Sequence, residues 1–437
     1  MIGVAADDIT GAHDIGSMFA KSGALVHVFS YNPRLTEQDI LRWQLPDVII
    51  IDTDSRFDSP ATAYNKVFQA AKLLQGLGCR QFYKKTCSAF RGNIGPELDA
   101  MLDALNEDFA GVVVGFPKNG RQTIDGIHYV HGVKLEESEF RRDPVHPMDR
   151  SSLVELLQSQ TKRRVGLVRY NVIEQGIEAL RSETARLREH YQYVVFDVVD
   201  QDSLKAIAHA LHQLPVFGGS SALAEELPLR PRERSGQGPG ALPPRKGMGI
   251  LCAAGSLMPQ TKAQVEYMRQ QGAHVFELES LKVLDERERT AAIQGLCSVM
   301  GAALQQGDDV IVHTSNDPEV VAETKRVGQA LGLSTTMVSR LVSEALAEVV
   351  ANCVEELGLS RLLIAGGDTS AAVCSRLGVQ GMRVWREIQP GIPSCISLGD
   401  VPLFLVLKSG SFGSSDFFVK AVAHLRSGNG VAESSID

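Results

Sequence analysis

The sequence lacks paired cysteines and long apolar runs. Its seven cysteines are scattered and form no C-x-x-C pair, which argues against a disulfide framework and against a structural zinc site. No stretch approaches the roughly 20 apolar residues that a membrane helix needs. Nothing at the start of the sequence resembles a signal peptide. We therefore expect a protein of the reducing cytoplasm.

An excess of basic residues is also missing. Lys and Arg number 44 against 52 Asp and Glu, for a net charge of −8. This balance argues against nucleic acid or an anionic membrane as the main partner, because both favour basic surfaces. An anionic small substrate stays compatible, since a local cluster of Lys and Arg can bind it. At 437 residues the chain is longer than a single hydrophobic core usually supports, so we expect two domains.

The common nucleotide fingerprints are absent as well. The sequence has neither the G-x-x-x-x-G-K-[ST] P-loop nor the G-x-G-x-x-G dinucleotide motif. A nucleotide enzyme with this sequence would belong to a less common class. His128, His131 and His146 are loosely spaced and no carboxylate–histidine motif accompanies them, so we predict no metal site there.

Short apolar runs alternate with segments of helical length, which predicts two α/β domains with mainly parallel sheets. A stretch rich in Pro, Gly and charge at 228–247 indicates a linker. We place a first domain at 1–230, the linker at 231–247 and a second domain at 248–437. The expected strands are 2–6, 24–29, 47–52, 79–84, 111–115, 165–168, 193–197, 248–254, 274–278, 309–313, 361–365 and 402–407. The expected helices include 60–77, 96–107, 259–271 and one from about 369.

Three unusual loops follow expected strands of the first domain, where α/β sheets bind ligands. They are VAADDITGAHD (4–14), IDTDSRF (51–57) and KKTCSAFRGNIG (84–95). Cations suit an anion, whereas Asp, Ser and Asn suit hydroxyls, so this set is typical of a site for a polyhydroxylated carboxylate. Two alternatives stay open. Asp7 or Asp8 can be a helix cap, and the basic loop can be a solvated turn before a helix that starts at Pro96.

The second domain carries three glycine-rich turns, each just after an expected strand. Glycine lets the backbone approach a phosphate closely, and a helix start presents free N–H groups to it. Together the three turns indicate a nucleotide site. They are AAGS (253–256), AGGDTSAAV (365–373) and LKSGSFGSSDFF (407–418).

In this combination the motifs resemble the four-carbon acid sugar kinase family, which phosphorylates C4 sugar acids such as threonate, erythronate and 3-oxo-tetronates with ATP. The resemblance spans most of the chain. It rests on ADDITGAHD (6–14), DTDSR (52–56), KKTCSAFRGNIG (84–95), FPKNGR (116–121), AGGDTSAAV (365–373), PGIPSC (390–395) and LKSGSFG (407–413). It implies sugar-acid binding in the first domain, ATP binding in the second and an active site in the cleft between them.

The resemblance also implies roles for individual residues. Asp8 is expected to orient or deprotonate the attacking hydroxyl, with Asp7 behind it, while Lys85, Arg56 and Arg91 hold the carboxylate. The full set of expected sugar-acid contacts is Asp7, Asp8, Arg56, Lys84, Lys85, Thr86, Cys87, Ser88, Arg91 and Asn93. The expected ATP contacts are Ser256, Gly366, Gly367, Asp368, Thr369 and Gly410.

Mg²⁺ is expected to bind through the nucleotide and waters rather than through a protein site, with Asp368 able to reach it through water. Cys87 resembles the 3-oxo-tetronate branch of the family, whereas residues 91–95 resemble the threonate and general branches. The expected partners are a sugar acid and ATP, with a homodimer as the candidate assembly. Asp14 receives no role.

Two functions of other classes remain as alternatives. One is an ATP-independent aldolase or isomerase that acts on a sugar acid. The other is a non-catalytic sugar-acid sensor on the same scaffold. Binding of ATP to the second domain would count against the first alternative, and measurable turnover would exclude the second.

Overall fold

The computed structural model describes residues 1–143, 145–229, 231, 242–243 and 247–427. The chain divides into two units, Met1–Arg234 and Ser235–Asp437. Most of the linker expected at 231–247 lies outside the described residues, and its boundaries stay a prediction. Within the described ranges, no helix is long and apolar enough to span a bilayer.

The N-terminal unit is built on short apolar strands that are buried on both faces, as expected of a parallel sheet between two layers of helices. Its strands are β1 (Ile2–Ala6), β2 (Val26–Ser30), β3 (Val48–Asp52), β4 (Gln81–Lys85), β5 (Ala110–Val113), β6 (Arg121–Ile124), β7 (Ile127–Val130), β8 (Val133–Lys134), β9 (Val165–Val168), β10 (Tyr193–Phe196) and β11 (Val216–Gly219). Its helices are α1 (Ile9–Lys21), α2 (Glu37–Leu41), α3 (Pro60–Gly76), α4 (Ile94–Leu105), α5 (Leu153–Gln158), α6 (Tyr170–Ile173), α7 (Ile177–Arg188), α8 (Gln201–Leu211) and α9 (Ala222–Glu226).

The main sheet of this unit has the order β2–β3–β1–β4–β11–β5–β10–β9, and every neighbouring pair is parallel. From β1 the chain leaves to one side for β2 and β3 and then returns to the other side for β4. Such a reversal opens a crevice at the carboxyl ends of the strands. A separate antiparallel sheet of three strands, β6–β7–β8, begins at the end of the FPKNGR motif.

The C-terminal unit repeats the α/β pattern. Its strands are β12 (Leu251–Ala254), β13 (His274–Leu278), β14 (Val310–Thr314), β15 (Arg361–Ala365), β16 (Gly381–Gln389), β17 (Ile392–Ser397) and β18 (Phe404–Lys408). Its helices are α10 (Pro259–Gln270), α11 (Glu286–Gln306), α12 (Pro318–Ala330), α13 (Thr335–Leu357), α14 (Gly367–Arg376) and α15 (Phe417–Ser427). The order is β13–β14–β12–β15–β18–β17–β16, parallel as far as β18 and antiparallel beyond it.

The predicted class, two α/β domains with mainly parallel sheets, is confirmed. The sequence prediction misses β11, a four-residue strand that ends in two glycines, and the antiparallel pair β16–β17, whose turn and second strand hold the PGIPSC motif. It also starts two helices too late, because α4 begins at Ile94 rather than Pro96 and α14 begins at Gly367.

Candidate active site

Four central strands of the N-terminal unit end at the same level. Ala6, the last residue of β1, pairs with Asp52 at the end of β3 and with Lys85 at the end of β4. Lys85 also pairs with Gly219 at the end of β11. The loops after these strands therefore begin side by side, at the edge of the sheet where ligands commonly bind.

Arg56 joins the loops that follow β1 and β3. Its Nε and Nη2 donate to the two carboxylate oxygens of Asp7 at 2.8 and 3.0 Å, and its Nη1 donates to Asp8 Oδ2 at 2.7 Å. All three residues are buried. The structure thus brings together three predicted site residues. It also shows that carboxylates of the protein accept from most N–H groups of the Arg56 guanidinium, which was expected to bind a substrate carboxylate.

The charges around Asp7 fix its protonation state. Burial raises the pKa of Asp7, but the Arg56 guanidinium and the Lys84 and Lys85 ammonium groups outweigh burial and lower that pKa to about 2. The carboxyl is therefore ionised at neutral pH. Burial opposes the charged form of Arg56, yet its carboxylate partners hold the pKa of Arg56 well above the usual value.

Asp8 differs from Asp7 in its contacts. Its Oδ1 accepts a hydrogen bond from the Gly11 N–H at 2.7 Å and so caps α1, and its Oδ2 also accepts from the Thr10 hydroxyl at 2.8 Å. The Asp8 side chain is 12% exposed, against 1% for Asp7. The capping interpretation is confirmed for Asp8, and Asp8 is also the carboxylate of this pair that reaches solvent.

Asp14 lies beside Lys85. Asp14 Oδ2 is 3.5 Å from Lys85 Nζ, and Asp14 Oδ1 accepts from the Ser221 hydroxyl at 2.7 Å. The Lys85 ammonium also donates to the Thr86 carbonyl at 2.8 Å. The residue that the sequence left without a role is therefore the carboxylate that holds the Lys85 ammonium in place.

Gly11, in the opening motif, has a packing role at the same place. A Cβ at this position would lie 2.5 Å from Asp8 Oδ1 and 3.1 Å from Lys85 Nζ. Because Gly11 has no side chain, the Asp8 carboxylate and the Lys85 ammonium can lie on either side of this position. A ligand with both a hydroxyl and a carboxylate matches this pair of groups.

Lys84 lies away from this point, because neighbouring residues of a strand face opposite sides of the sheet. Its ammonium is 2.8 Å from Glu97 Oε2, and both side chains are fully buried. Glu97 also accepts from the Ser55 hydroxyl at 2.5 Å. The charge of Lys84 is therefore enclosed against α4, away from the point that Asp8 and Lys85 flank, and its contact with the sugar acid stays a prediction.

The loop after β4 places a cysteine between cationic groups. Cys87 Sγ accepts from Arg91 Nε at 3.3 Å and from the Ala89 N–H at 3.5 Å. Burial raises the pKa of Cys87, but Arg91 and Arg56 outweigh it and bring the pKa below the usual value. Cys87 and Arg91 thus form one polar group beside the Arg56 cluster.

The other expected contacts of this loop hold its backbone. The Thr86 N–H donates to the Gly219 carbonyl at 2.8 Å, and the Ser88 carbonyl is 2.9 Å from His128 Nε2. The Asn93 amide donates to the carbonyls of Ser55 and Asp58 at 3.0 and 2.9 Å. The amide group of Asn93 therefore ties the β3 and β4 loops together.

The sequence reading also missed a segment that contacts two arginines of the site. The Arg91 guanidinium forms an ion pair with Asp143. His146 Nε2 is 2.9 Å from the Arg56 carbonyl, and the His146 ring stacks on Phe57 with centroids 5.6 Å apart. No sequence signal marks this segment, because it lies in an irregular region that pairs with no strand of the main sheet.

The three histidines considered for metal binding have other contacts. Burial lowers the pKa of His128 to about 4, and His131 Nε2 is 3.1 Å from Arg121 Nη1. Across the described ranges, no group of three or more His, Cys, Asp or Glu is placed to hold a metal ion.

The three glycine-rich turns of the C-terminal unit also start at one level. Ala365 at the end of β15 pairs with Ala254 at the end of β12 and with Lys408 at the end of β18. The Gly366 N–H donates to the Lys408 carbonyl, and the Gly255 N–H donates to the Ala365 carbonyl. The register therefore brings the predicted nucleotide turns together.

Glycines keep these turns close to one another. A Cβ on Gly255 would lie 2.1 Å from Thr369 Oγ1, and a Cβ on Gly410 would lie 2.1 Å from Ser256 Oγ. Gly366 has a φ of +122°, and its Cβ would lie 3.2 Å from the Ser256 nitrogen. The predicted residues Ser256, Gly366, Thr369 and Gly410 thus form one cradle, which we call the glycine cradle.

Helix α14 begins inside the glycine cradle. Gly367 and Asp368 form its first turn, where N–H groups have no partner within the helix, and Asp368 is exposed. Free N–H groups at a helix start favour phosphate. Lys408, which was not among the expected ATP contacts, is fully buried beneath Gly410 and donates to its carbonyl at 3.1 Å.

Comparison with known proteins gives the same division into two domains. The model of a sugar-binding N-terminal domain matches residues 2–227, and the model of a nucleotide-binding C-terminal domain matches residues 251–418. The chain belongs to the four-carbon acid sugar kinase family. The family resemblance read from the motifs is confirmed.

Curated relatives of this kinase are similar over nearly the whole chain. The 3-oxo-tetronate kinase of Pseudomonas fluorescens is 34% identical over 98% of each chain. That of Cupriavidus necator is 34% identical over 97% of each chain, and that of Haemophilus influenzae is 31% identical over 96% of this chain and 98% of the relative.

Solved structures agree with the fold of the kinase. A protein from Salmonella typhimurium LT2 aligns with a TM-score of 0.78 and 29% identity, covering 96% of this chain and 98% of that one. A protein from Haemophilus influenzae aligns with a TM-score of 0.70 and 30% identity, covering 97% and 100%.

The substitution Arg56→Met tests the buried cluster. It leaves Asp7 without its main counter-charge, and an unpaired buried carboxylate should cost about 3–5 kcal/mol of unfolding free energy. Chemical denaturation measures this loss. In the wild type, Asp7 contributes stability above pH 3.8, and this is lost as the pH falls toward 2. In the variant, burial dominates and raises the Asp7 pKa. The difference in unfolding free energy between the wild type and the variant should therefore widen as the pH rises above 4.

The matched control is Arg186→Met, which removes an exposed arginine paired with Glu183 on α7. It should leave the unfolding free energy unchanged within error, because such surface pairs contribute little. Equal effects of the two substitutions would show that the Arg56 cluster does not stabilise the fold.

Proposed function

We propose that this kinase transfers the γ-phosphate of ATP to the terminal hydroxyl of a four-carbon sugar acid, and that the acid is a 3-oxo-tetronate. The observation that carries the proposal is the joint position of Asp8 and Lys85 at the aligned ends of β1 and β4 in the sugar-binding domain. The curated relatives named 3-oxo-tetronate kinase support the substrate class. The comparisons support neither the aldolase or isomerase nor the sensor.

Cys87 supports the 3-oxo acid over threonate or erythronate. Cysteine at this position resembles the 3-oxo-tetronate branch of the family. Its sulfur lies against Arg91, and this pair presents polar groups beside the Arg56 cluster. We assign Cys87 and Arg91 to the part of the acid that distinguishes the branches.

In the proposed mechanism Asp8 acts on the attacking hydroxyl. Its carboxylate accepts the hydroxyl proton as the oxygen–phosphorus bond forms and the bond between the β- and γ-phosphates breaks, which releases ADP. Arg56 holds the Asp8 carboxylate in place and neutralises Asp7 behind it. Lys85, steadied by Asp14, binds the acid's carboxylate, a role first expected to include Arg56.

The glycine cradle is assigned to the phosphates of ATP. Ser256, Gly366, Gly367, Thr369 and Gly410 supply backbone N–H and hydroxyl groups to phosphate oxygens. When Mg²⁺ is present it neutralises phosphate charge, held by the nucleotide and waters, with Asp368 as the nearby exposed carboxylate. The cytoplasmic location and the homodimer stay predictions.

An ATP-consumption assay tests the substrate. We expect turnover of a 3-oxo-tetronate, with kcat/KM at least tenfold above that for threonate or erythronate. A preference for threonate would move the protein to another branch of the family and would remove the role given to Cys87. Turnover of none of the three acids would overturn the proposed function.

Asp8→Asn tests the proposed base. Asparagine retains the cap of α1 but cannot accept a proton, so kcat should fall by about 10²–10⁴-fold. Binding of ADP, measured by calorimetry, should stay within twofold of the wild type. Asp54→Asn is the matched control, because Asp54 is an exposed carboxylate on the neighbouring loop, and its kcat should not change. A large loss of ADP affinity in Asp8→Asn would contradict the assignment.

Gly410→Ala tests the glycine cradle. The new methyl group would collide with Ser256 Oγ, so the KM for ATP should rise at least tenfold while the KM for the sugar acid stays within twofold. Gly295→Ala, in open space on α11, is the control and should change neither KM. Equal effects on both KM values in Gly410→Ala would point to general misfolding.

A further inference from the structure

The Lys408 ammonium is fully buried and lies among backbone carbonyls. Its Nζ donates to the carbonyls of Ser409, Gly410 and Phe412 at 2.8, 3.1 and 3.0 Å, and to Thr261 Oγ1 at 3.0 Å. Three of these four acceptors belong to the turn that follows β18. The lysine therefore draws the carbonyls of this turn inward.

Drawing the carbonyls inward determines where the N–H groups point. In a trans peptide the C=O of one residue and the N–H of the next lie on opposite sides, and the described chain contains no cis peptide bond. The three N–H groups that follow the held carbonyls belong to Gly410, Ser411 and Gly413. None of them donates to an acceptor among the described residues.

We infer that Lys408 is a positioning residue for the nucleotide phosphates, because its ammonium holds three carbonyls of the 409–413 turn and so directs three free N–H groups toward the glycine cradle. The inference rests on the proposed nucleotide site. It adds a residue that acts through the backbone, since a side chain with no exposed surface has no direct path to a phosphate.

Within the part of the chain that the structure describes, no carboxylate forms an ion pair with this ammonium. Burial alone lowers the pKa of Lys408 to about 7, without a contribution from any neighbouring charge. The neighbouring elements carry charged groups, among them Lys262, Glu266 and Arg269 on α10, Asp368 and Arg376 on α14, and Asp416 before α15, but none of them contributes to the pKa of Lys408. A bound phosphate would therefore add an anion that favours the charged form.

This burial gives nucleotide binding a pH dependence of definite sign. As the pH rises through the lowered pKa of Lys408, the free protein loses the Lys408 proton, and the neutral amine keeps two N–H donors for four acceptors. Nucleotide binding then requires that the proton be taken up again. The affinity for ADP should fall by about tenfold for each pH unit above 7, while the affinity for adenosine should not change.

Calorimetry with the full-length protein tests this arrangement, with ADP and adenosine as probes in the presence of Mg²⁺. Lys408→Met should weaken ADP binding at least tenfold and leave adenosine within twofold. Gln264→Leu is the matched variant, because Gln264 Nε2 holds the carbonyls of Phe412, Gly413 and Ser414 without a charge. An equal loss for ADP and adenosine in Lys408→Met would overturn the inference.

Proton uptake gives a readout that a merely structural lysine would not change. At pH 8, titrations in two buffers of different ionisation enthalpy should show proton uptake on ADP binding by the wild type and by Gln264→Leu, and none by Lys408→Met. If Lys408→Met fails to fold, the proton uptake by the wild type and the pH dependence of its ADP affinity still test the inference. Absence of both in a wild type that binds ADP overturns the inference, whereas a wild type that binds no ADP overturns the proposed function itself.

Discussion

Parallel pairing in register is the constraint on which both candidate sites depend. In each unit, neighbouring strands end at the same residue level, so that loops far apart in sequence begin side by side. Contacts between different loops, such as those of Arg56 with Asp7 and Asp8, depend on this alignment. The loops after the strands then set the chemistry, with charged side chains in the N-terminal unit and glycines in the C-terminal unit.

The two units treat charge in different ways. Around Asp7 and Arg56, opposite charges are buried together, which keeps Asp7 ionised, and the Arg56 guanidinium holds the Asp8 carboxylate in place. In the glycine cradle the charge comes from backbone dipoles, with one buried ammonium behind them. The first arrangement suits a small acid with several polar groups, and the second suits a phosphate, whose oxygens accept from N–H groups.

Much of this could be predicted from the sequence, because apolar runs identify most central strands and unusual loops come directly after them. The contacts that decide the role of an individual residue could not be predicted from the sequence. Lys84 and Lys85 are adjacent and identical in type, yet only the sheet shows that they face opposite sides. Asp14 gains its role from Lys85 and Ser221 on other elements, Lys408 gains its role from the fold of the turn that follows it, and Asp143 and His146 contact the site without any motif. Short or antiparallel strands such as β11 and β16 carry too little apolar pattern to be predicted.

The two lysines of β4 have a consequence for how the chain assembles. Lys84 meets Glu97 of α4, whereas Lys85 meets Asp14 of α1, so each side of the strand carries its own carboxylate partner. A slip of β4 by one residue would exchange the two faces, so that one lysine would take the place of the other and the remaining ammonium group would lie away from its carboxylate partner. The two charge pairs therefore favour the native register of the central strand before any ligand is bound.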